Sequence, residues 1–257
     1  NRRQMKTIEY ALIGCAHLSG RIVDLLEKSN EDIMENDLTI YCKETADDYF
    51  YKYDDDTKKR WLNQLRNIYP SLISNLKLLG NTKFISKYPK DEDRLPEWTK
   101  PRLLINGELS VISKHHRAMK NFLKSSNDYL LVMEDDVILK KNALKKIKKL
   151  VNENYIDYID LAGGDGLKAT EENTIIMSGL KLENKLNRAT RTACSYLVSR
   201  KIAKLISRDL NKPTMPIDWS ISYSLSNNKE RIKVYWLDED LFEHGSSIGA
   251  INSWRNE

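Results

Sequence analysis

Apolar positions along the chain gather into short continuous runs separated by helically spaced segments, and that alternation predicts the architecture. Thr7 to Gly14 (TIEYALIG) is apolar and partly β-branched, which predicts a strand. Residues 15–20 read as a turn, and Ser19 can cap a helix carrying Ile22, Val23, Leu25 and Leu26. Asp37 to Cys42 predicts a second strand, and a right-handed crossover makes the two parallel. Lys58 to Tyr69 has helical spacing through Trp61, Leu65 and Ile68, and a second helical pattern through Leu72, Leu76 and Leu79 stops at Gly80. Thr82 to Ser86 predicts a short strand. Tyr88 to Pro101 (YPKDEDRLPEWTKP) is polar with three prolines, which predicts a loop long enough to cover a site.

The second half continues the pattern. Gly107 to Ser125 predicts one helix, with Leu109, Ile112, His116, Met119 and Leu123 on its packed face. Asp128 to Met133 (DYLLVM) is the most apolar run and predicts a buried central strand. Asn142 to Val151 predicts an amphipathic helix with a lysine-rich outer face. Tyr158 to Ala162 predicts a strand that ends at Gly163-Gly164-Asp165-Gly166. Thr192 to Val198 and Ile232 to Trp236 predict strands, Arg200 to Ile206 and Ile217 to Leu225 predict helices, and the rest reads as a tail. Strands alternating with helices indicate an α/β sheet, parallel at the front.

Composition narrows the function classes. A chain of 257 residues can bury a full core in one α/β domain, or two small ones. Three separated cysteines, Cys15, Cys42 and Cys194, exclude a disulfide scaffold or zinc ribbon. The +5 charge is the difference between 42 basic and 37 acidic residues, so the surface is mixed and no nucleic-acid partner is expected. No run approaches the roughly 18 apolar residues of a membrane span. No apolar segment follows the first residues, so no signal peptide is expected. A start at Asn1 rather than Met points to a trimmed chain or a piece of a longer one.

Candidate chemistry sits in Met133-Glu134-Asp135-Asp136-Val137. Three acids stand at the carboxyl end of the most buried strand, the edge where open α/β sheets bind ligands. Adjacent carboxylates repel one another, and a divalent cation offsets that repulsion. Strand alternation puts Glu134 and Asp136 on one side and Asp135 on the other. Carboxylates prefer hard cations such as Mg²⁺ or Mn²⁺, which in turn hold phosphate oxygens. A solvated acidic turn is the competing structural role.

With these residues in view, the chain resembles glycosyltransferase family 25. That family has a G-E-x-G-C-x-x-S-H segment, then a buried strand ending E-D-D-V. Here Gly107, Glu108 and His115 match the first pattern, while Ser110, Val111 and Lys114 depart from it; Leu130 to Val137 matches the second. Thr192, Tyr196, Ser199 and Ala203, then Pro216-Ile217-Asp218, follow the family's later T-x-x-x-Y-x-x-S-x-x-x-A and P-x-D patterns, and Arg21 stands at the start of the first helix. The resemblance spans about residues 7 to 220, and the departures mark a distant member. It implies a GT-A type, Rossmann-like nucleotide-binding domain with a mixed, mostly parallel sheet. Residues of about 7–136 would form the nucleotide-sugar half, about 137–240 the acceptor half, and 241–257 a flexible tail. It also implies an inverting transfer of galactose or glucose from a UDP-sugar with Mn²⁺ or Mg²⁺, as in lipopolysaccharide biosynthesis. The acceptor would be a hydroxyl of a glycan, glycolipid or hydroxylated protein.

On that reading Asp136, with Glu134, binds the metal, and Asp135 faces the ribose or a metal-bound water. Gly107, His115 and Arg21 join the nucleotide-sugar site. Asp218 is the candidate base, with an N-cap as its structural alternative, and Asp165 is the reserve. His244, in Glu243-His244-Gly245-Ser246-Ser247, is a candidate last metal ligand or a surface residue of the tail. Arg188 and Arg191 could meet phosphate. Lysines 140, 141, 145, 146, 148 and 149 form a solvated face, with peripheral membrane contact at anionic lipid as the alternative. The expected location is cytoplasmic or peripheral at a membrane, with a lumenal location also open. A metal-dependent phosphoryl-group enzyme and a non-catalytic carbohydrate- or nucleotide-binding module are the competing classes.

Overall fold

The computed structural model describes residues 5–15, 20–21, 24–25, 27, 38–43, 52–78, 80, 83, 85, 87–163, 167, 169, 173–185, 188–228, 232–239 and 241–251. In chain order these form β1 (Ile8–Ile13), β2 (Leu38–Tyr41), α1 (Asp55–Leu78), short 3₁₀ turns at Glu92–Arg94 and Glu97–Thr99, α2 (Asn106–Phe122), β3 (Tyr129–Glu134), β4 (Val137–Leu139), α3 (Ala143–Glu153), β5 (Tyr158–Asp160), β6 (Thr174–Met177), β7 (Leu180–Asn184), β8 (Ser195–Ser199), α4 (Arg200–Leu210), α5 (Ile217–Ser226), β9 (Val234–Leu237) and β10 (Phe242–His244).

The fold is α/β, around an eight-stranded mixed sheet in the order β2-β1-β3-β8-β5-β9-β7-β6. β1 pairs in parallel with both β2 and β3, and β5 with β9; the other neighbours are antiparallel. The chain leaves β1 for β2 on one side and later returns to β3 on the other. That makes the β1–β3 junction a topological switch point, and its carboxyl end is where such sheets open a ligand crevice.

The period-2 alternation of the strands sorts the core onto two faces. Ala11, Ile13, Leu130, Val132, Tyr196 and Val198 face a layer that includes Trp61, Leu65, Ile68, Ile112, Met119 and Ile206 of α1, α2 and α4. Ile8, Tyr10, Leu12, Leu131, Met133 and Leu197 face Leu144, Ile147, Leu150 and Val151 of α3. Each fully buried aliphatic side chain contributes roughly 1.5–3 kcal/mol of transfer free energy, so the sheet is held from both sides.

Several elements differ from the sequence expectation. The two helical patterns over 58–79 are one helix, α1, which continues through Pro70. Both halves share one buried stripe (Trp61, Leu65, Ile68, Ile73), and packing along it outweighs the lost backbone bond. On α2 it is His115 that is fully buried, while His116 is half-buried. The carbonyls at the end of α2 are collected by Arg200, whose guanidinium donates to Phe122 O, Leu123 O, Ser125 O and Asn127 O at 2.8–3.1 Å. Of the short strand expected over 82–86, Lys83 lies in a turn, and residues 82, 84 and 86 fall outside the described residues, as do Ser19, Ile22, Val23 and Leu26. β4, β6, β7 and β10 had no sequence prediction. β10 lies in the segment read as a tail and pairs antiparallel with β4, His244 opposite Val137.

Lys140 and Lys146 of the lysine face are paired with Glu243 (2.8 Å) and Glu239 (3.4 Å). Among the described residues no helix is long and apolar enough to cross a membrane.

Candidate active site

β3 ends at Glu134, and the chain turns through Asp135 and Asp136 before β4 begins. This turn separates the three carboxylates. Glu134 and Asp136 line a cavity of about 260 Å³ together with Glu108, Thr192, Cys194, Asp218, His244 and Ser246. Asp135 points the other way and accepts a hydrogen bond from Cys15 N at 3.2 Å, bridging the ends of β3 and β1. Burial pushes the Asp135 carboxyl up to about 6, reinforced by Asp136 and Glu134; Cys15 N–H and the positive charge of Arg21 act against the rise.

Asp136 is the best-held acid of the three. Its Oδ2 lies 3.2 Å from His244 Nε2 and accepts from Ser246 Oγ at 2.6 Å. The Cys194 thiol lies 3.5 Å from Oδ1. Burial works to raise its pKa, but the bond and charge of His244, then Ser246 and Cys194, hold it below the usual carboxylate range. The segment carrying His244 is fixed to the acid by Gly245, whose N–H donates to Asp136 O at 2.8 Å. A Cβ on Gly245 would sit 2.6 Å from that same oxygen, so this approach requires glycine. Ser247 holds the other ring nitrogen, Nδ1, at 2.9 Å.

Asp136, Cys194 and His244 each offer a ligand atom, and all three lie within 4.8 Å of one another. This cluster could hold a metal ion. A carboxylate oxygen plus an imidazole nitrogen suits a hard-to-borderline divalent cation. Cys194 is a weaker donor, because burial, with Asp136 and Glu134 nearby, raises its thiol well above the ordinary range and keeps it protonated.

Glu134 lines the same cavity, but its Oε1 is engaged by His115 Nε2 at 3.0 Å. His115 Nδ1 meets Tyr196 OH at 2.8 Å. A carboxylate only accepts, so Nε2 donates to Glu134, and the Tyr196 hydroxyl is the partner of Nδ1. Tyr196 stacks on Tyr158 at 5.6 Å, and Tyr158 OH donates to Thr190 Oγ1, which donates to Asp160. His115 is thus a positioning residue for Glu134, wired into the buried centre of the sheet.

Asp218 lies in the first turn of α5, after the N-cap Pro216, and faces the cavity. It is not itself the N-cap, and an acidic side chain is electrostatically favoured in that turn. Glu108 caps α2 by accepting from Ile105 N at 3.1 Å and pairs with Arg102 at 2.7 Å; its neighbour Gly107 lies in the first turn of the same helix. Lys114, at one of the positions departing from the family pattern, is fully buried, and its Nζ has no hydrogen-bond partner among the described residues. Arg191 is tied to Asp160 (2.8 Å), and Arg188 donates to Asn228 O (2.9 Å). Asp165 lies outside the described residues.

Sequence reasoning missed Cys194, Ser246 and Glu108 as parts of the cavity. Glu108 stood in a recognised pattern; nothing in the sequence connects Cys194 or Ser246 to Asp136.

The sequence profile of Glycosyltransferase family 25 (LPS biosynthesis protein) matches residues 81–221, more than half of the chain. The chain belongs to glycosyltransferase family 25. It is therefore a glycosyltransferase, and the match covers α2, the acids after β3 and the first turn of α5. No curated protein matches the chain. Among solved structures it is similar to a protein described as a glucose-1-phosphate thymidylyltransferase of Bacillus anthracis, in complex with sucrose. That likeness has 12% identity over 89% of this chain and 88% of that one, with a TM-score of 0.32. It is also similar to the inositol-1-phosphate CTP transferase of T. maritima, with 12% identity over 97% and 94% and a TM-score of 0.35. At such scores these likenesses carry no functional weight for this family 25 enzyme.

Proposed function

We propose that the chain is an inverting, metal-dependent hexosyltransferase of GT-A type, moving galactose or glucose from a UDP-sugar to a hydroxyl of a glycan-type acceptor. The observation that carries this reading is the meeting of Asp136 and His244, from opposite ends of the second half of the chain, in one cavity that also contains Asp218. Asp136 and His244 would hold Mn²⁺ or Mg²⁺, with Glu134 reaching it directly or through water. Bound there, the cation would neutralise the diphosphate and stabilise UDP as it leaves.

The chain's own residues supply the rest. Asp135, braced on Cys15 and near Arg21, would face the ribose at the β1–β3 switch point. His115 holds Glu134 in one rotamer through Nε2–H. Asp218 would accept the proton of the attacking hydroxyl as the new glycosidic bond forms on the face opposite the departing diphosphate. Ser246, Ser247 and Gly245 fix His244, so the metal side is preorganised.

A panel of UDP-hexoses, each with Mn²⁺, Mg²⁺ or EDTA, tests the proposal by UDP release with and without saccharide acceptors. Release from UDP-galactose or UDP-glucose, lost in EDTA, is the expected outcome. Undiminished release in EDTA would contradict the metal role, and no release from any UDP-hexose would contradict the donor.

A further inference from the structure

A second cavity, of about 180 Å³, opens on the far side of Asp218, which lines both. Two indoles form its walls. Trp98 comes from the proline-rich segment after α1, and Trp219 follows Asp218 on α5; their rings meet edge to face at 5.8 Å and 80°. Trp219 also meets Trp61 edge-on at 6.0 Å. Trp61 in turn pins the loop, its Nε1 donating to Thr99 O at 2.9 Å, while Thr99 Oγ1 donates to Pro96 O at 2.8 Å. Trp98 thus meets Trp219 beside an anchored Thr99 and remains 39% exposed. This segment is a built wall beside the catalytic cavity.

We infer that this corner is the acceptor subsite, and that it takes a pyranose ring stacked on Trp98 and Trp219. The inference rests on the transferase reading above and specifies its acceptor. A pyranose has a face of C–H groups and a rim of hydroxyls, so it needs an apolar plate with polar groups at its edge. The cavity has that composition. The Asn75 amide lines it and makes no hydrogen bond among the described residues, and Arg191 and Asp218 complete the polar edge. The two indoles meet at 80° and make a corner. An acyl chain would leave the Asn75 side-chain amide unmatched. The volume lies below the ~300 Å³ lower end of drug-sized pockets and suits a single ring. A ring seated here has its rim at Asp218, the candidate base of the neighbouring cavity.

The test needs no donor. The full chain, without nucleotide, is titrated with methyl β-glucopyranoside while tryptophan fluorescence and saturation-transfer NMR are followed. The expected result is a saturable response that weakens at least about tenfold in Trp98→Ala, less in Trp98→Phe, and also weakens in Asn75→Ala. Asp136→Ala retains the response, so a failure of the UDP-metal reading and a failure of this subsite separate cleanly. An absent response, an affinity identical in wild type and Trp98→Ala, or binding of octan-1-ol without binding of the glycoside would each overturn the inference.

Discussion

Two cavities meet at Asp218, and they are built differently. The larger is charged, and its centre, Asp136, is gripped by Cys194, just before β8, and by His244, Gly245 and Ser246 at and just after the end of β10. The smaller is walled by indoles that meet through edge contacts, with the loop pinned by Trp61 Nε1 donating to Thr99 O. The charged side concentrates electrostatic work, where removing one group should remove function altogether. The aromatic side divides its work among several contacts, where removal should weaken without abolishing. The comparison therefore predicts a graded series of effects.

The largest belongs to Asp136→Ala, which should lower hexosyl transfer by about a thousandfold or more, because the charge that holds the cation disappears. Steady-state transfer from UDP-galactose or UDP-glucose measures it, and transfer within about threefold of wild type would break the assignment. Asp218→Asn should lower kcat by roughly 10²–10⁴-fold while UDP affinity stays within about twofold. If kcat survives there but falls in Asp165→Asn, the proton acceptor is Asp165.

Arg191→Met acts on stability. It leaves the fully buried Asp160 carboxylate without its guanidinium partner, at a cost of about 3–5 kcal/mol in urea unfolding. The double variant Arg191→Met with Asp160→Leu should recover much of that loss; equal stability of wild type and the single variant would show that the pair is not structural. Gly245→Ala should be milder. Its Cβ would push the His244 segment away from Asp136 and weaken metal affinity roughly tenfold with an unchanged sheet, as read by metal titration and circular dichroism. The smallest effect is expected from Tyr196→Phe, which removes the hydroxyl from His115 Nδ1. About 1 kcal/mol of stability and a modest kcat loss should follow.

The same contrast explains what the sequence disclosed. The front of the sheet was legible because β1 and β3 are continuous apolar runs, buried on both faces. The acids were legible because they are contiguous and follow the most apolar strand. Asp218 was legible through its spacing to a recognised pattern. The unity of α1 was hidden, because the apolar spacing gave two separate patterns on either side of Pro70, and only the shared core stripe joins them. Cys194 and Ser246 reach Asp136 through strand pairing, β3 with β8 and β4 with β10, which no local pattern encodes. Trp98 and Trp219 escaped for the same reason. One sits in a polar loop and the other on a short helix, and their contact exists only in three dimensions.

The central claim is that Asp136 and His244 form a cation site serving a nucleotide diphosphate. Its most direct test is the thermal unfolding midpoint with UDP, with MnCl₂, with both, and with both plus EDTA, in wild type, Asp136→Ala and Asp218→Asn. Stabilisation is expected only when UDP and Mn²⁺ are present together, reaching about 2.7 kcal/mol at a hundredfold excess over Kd. It should vanish with EDTA and in Asp136→Ala, and persist in Asp218→Asn. UDP stabilisation that survives both EDTA and Asp136→Ala would contradict the account.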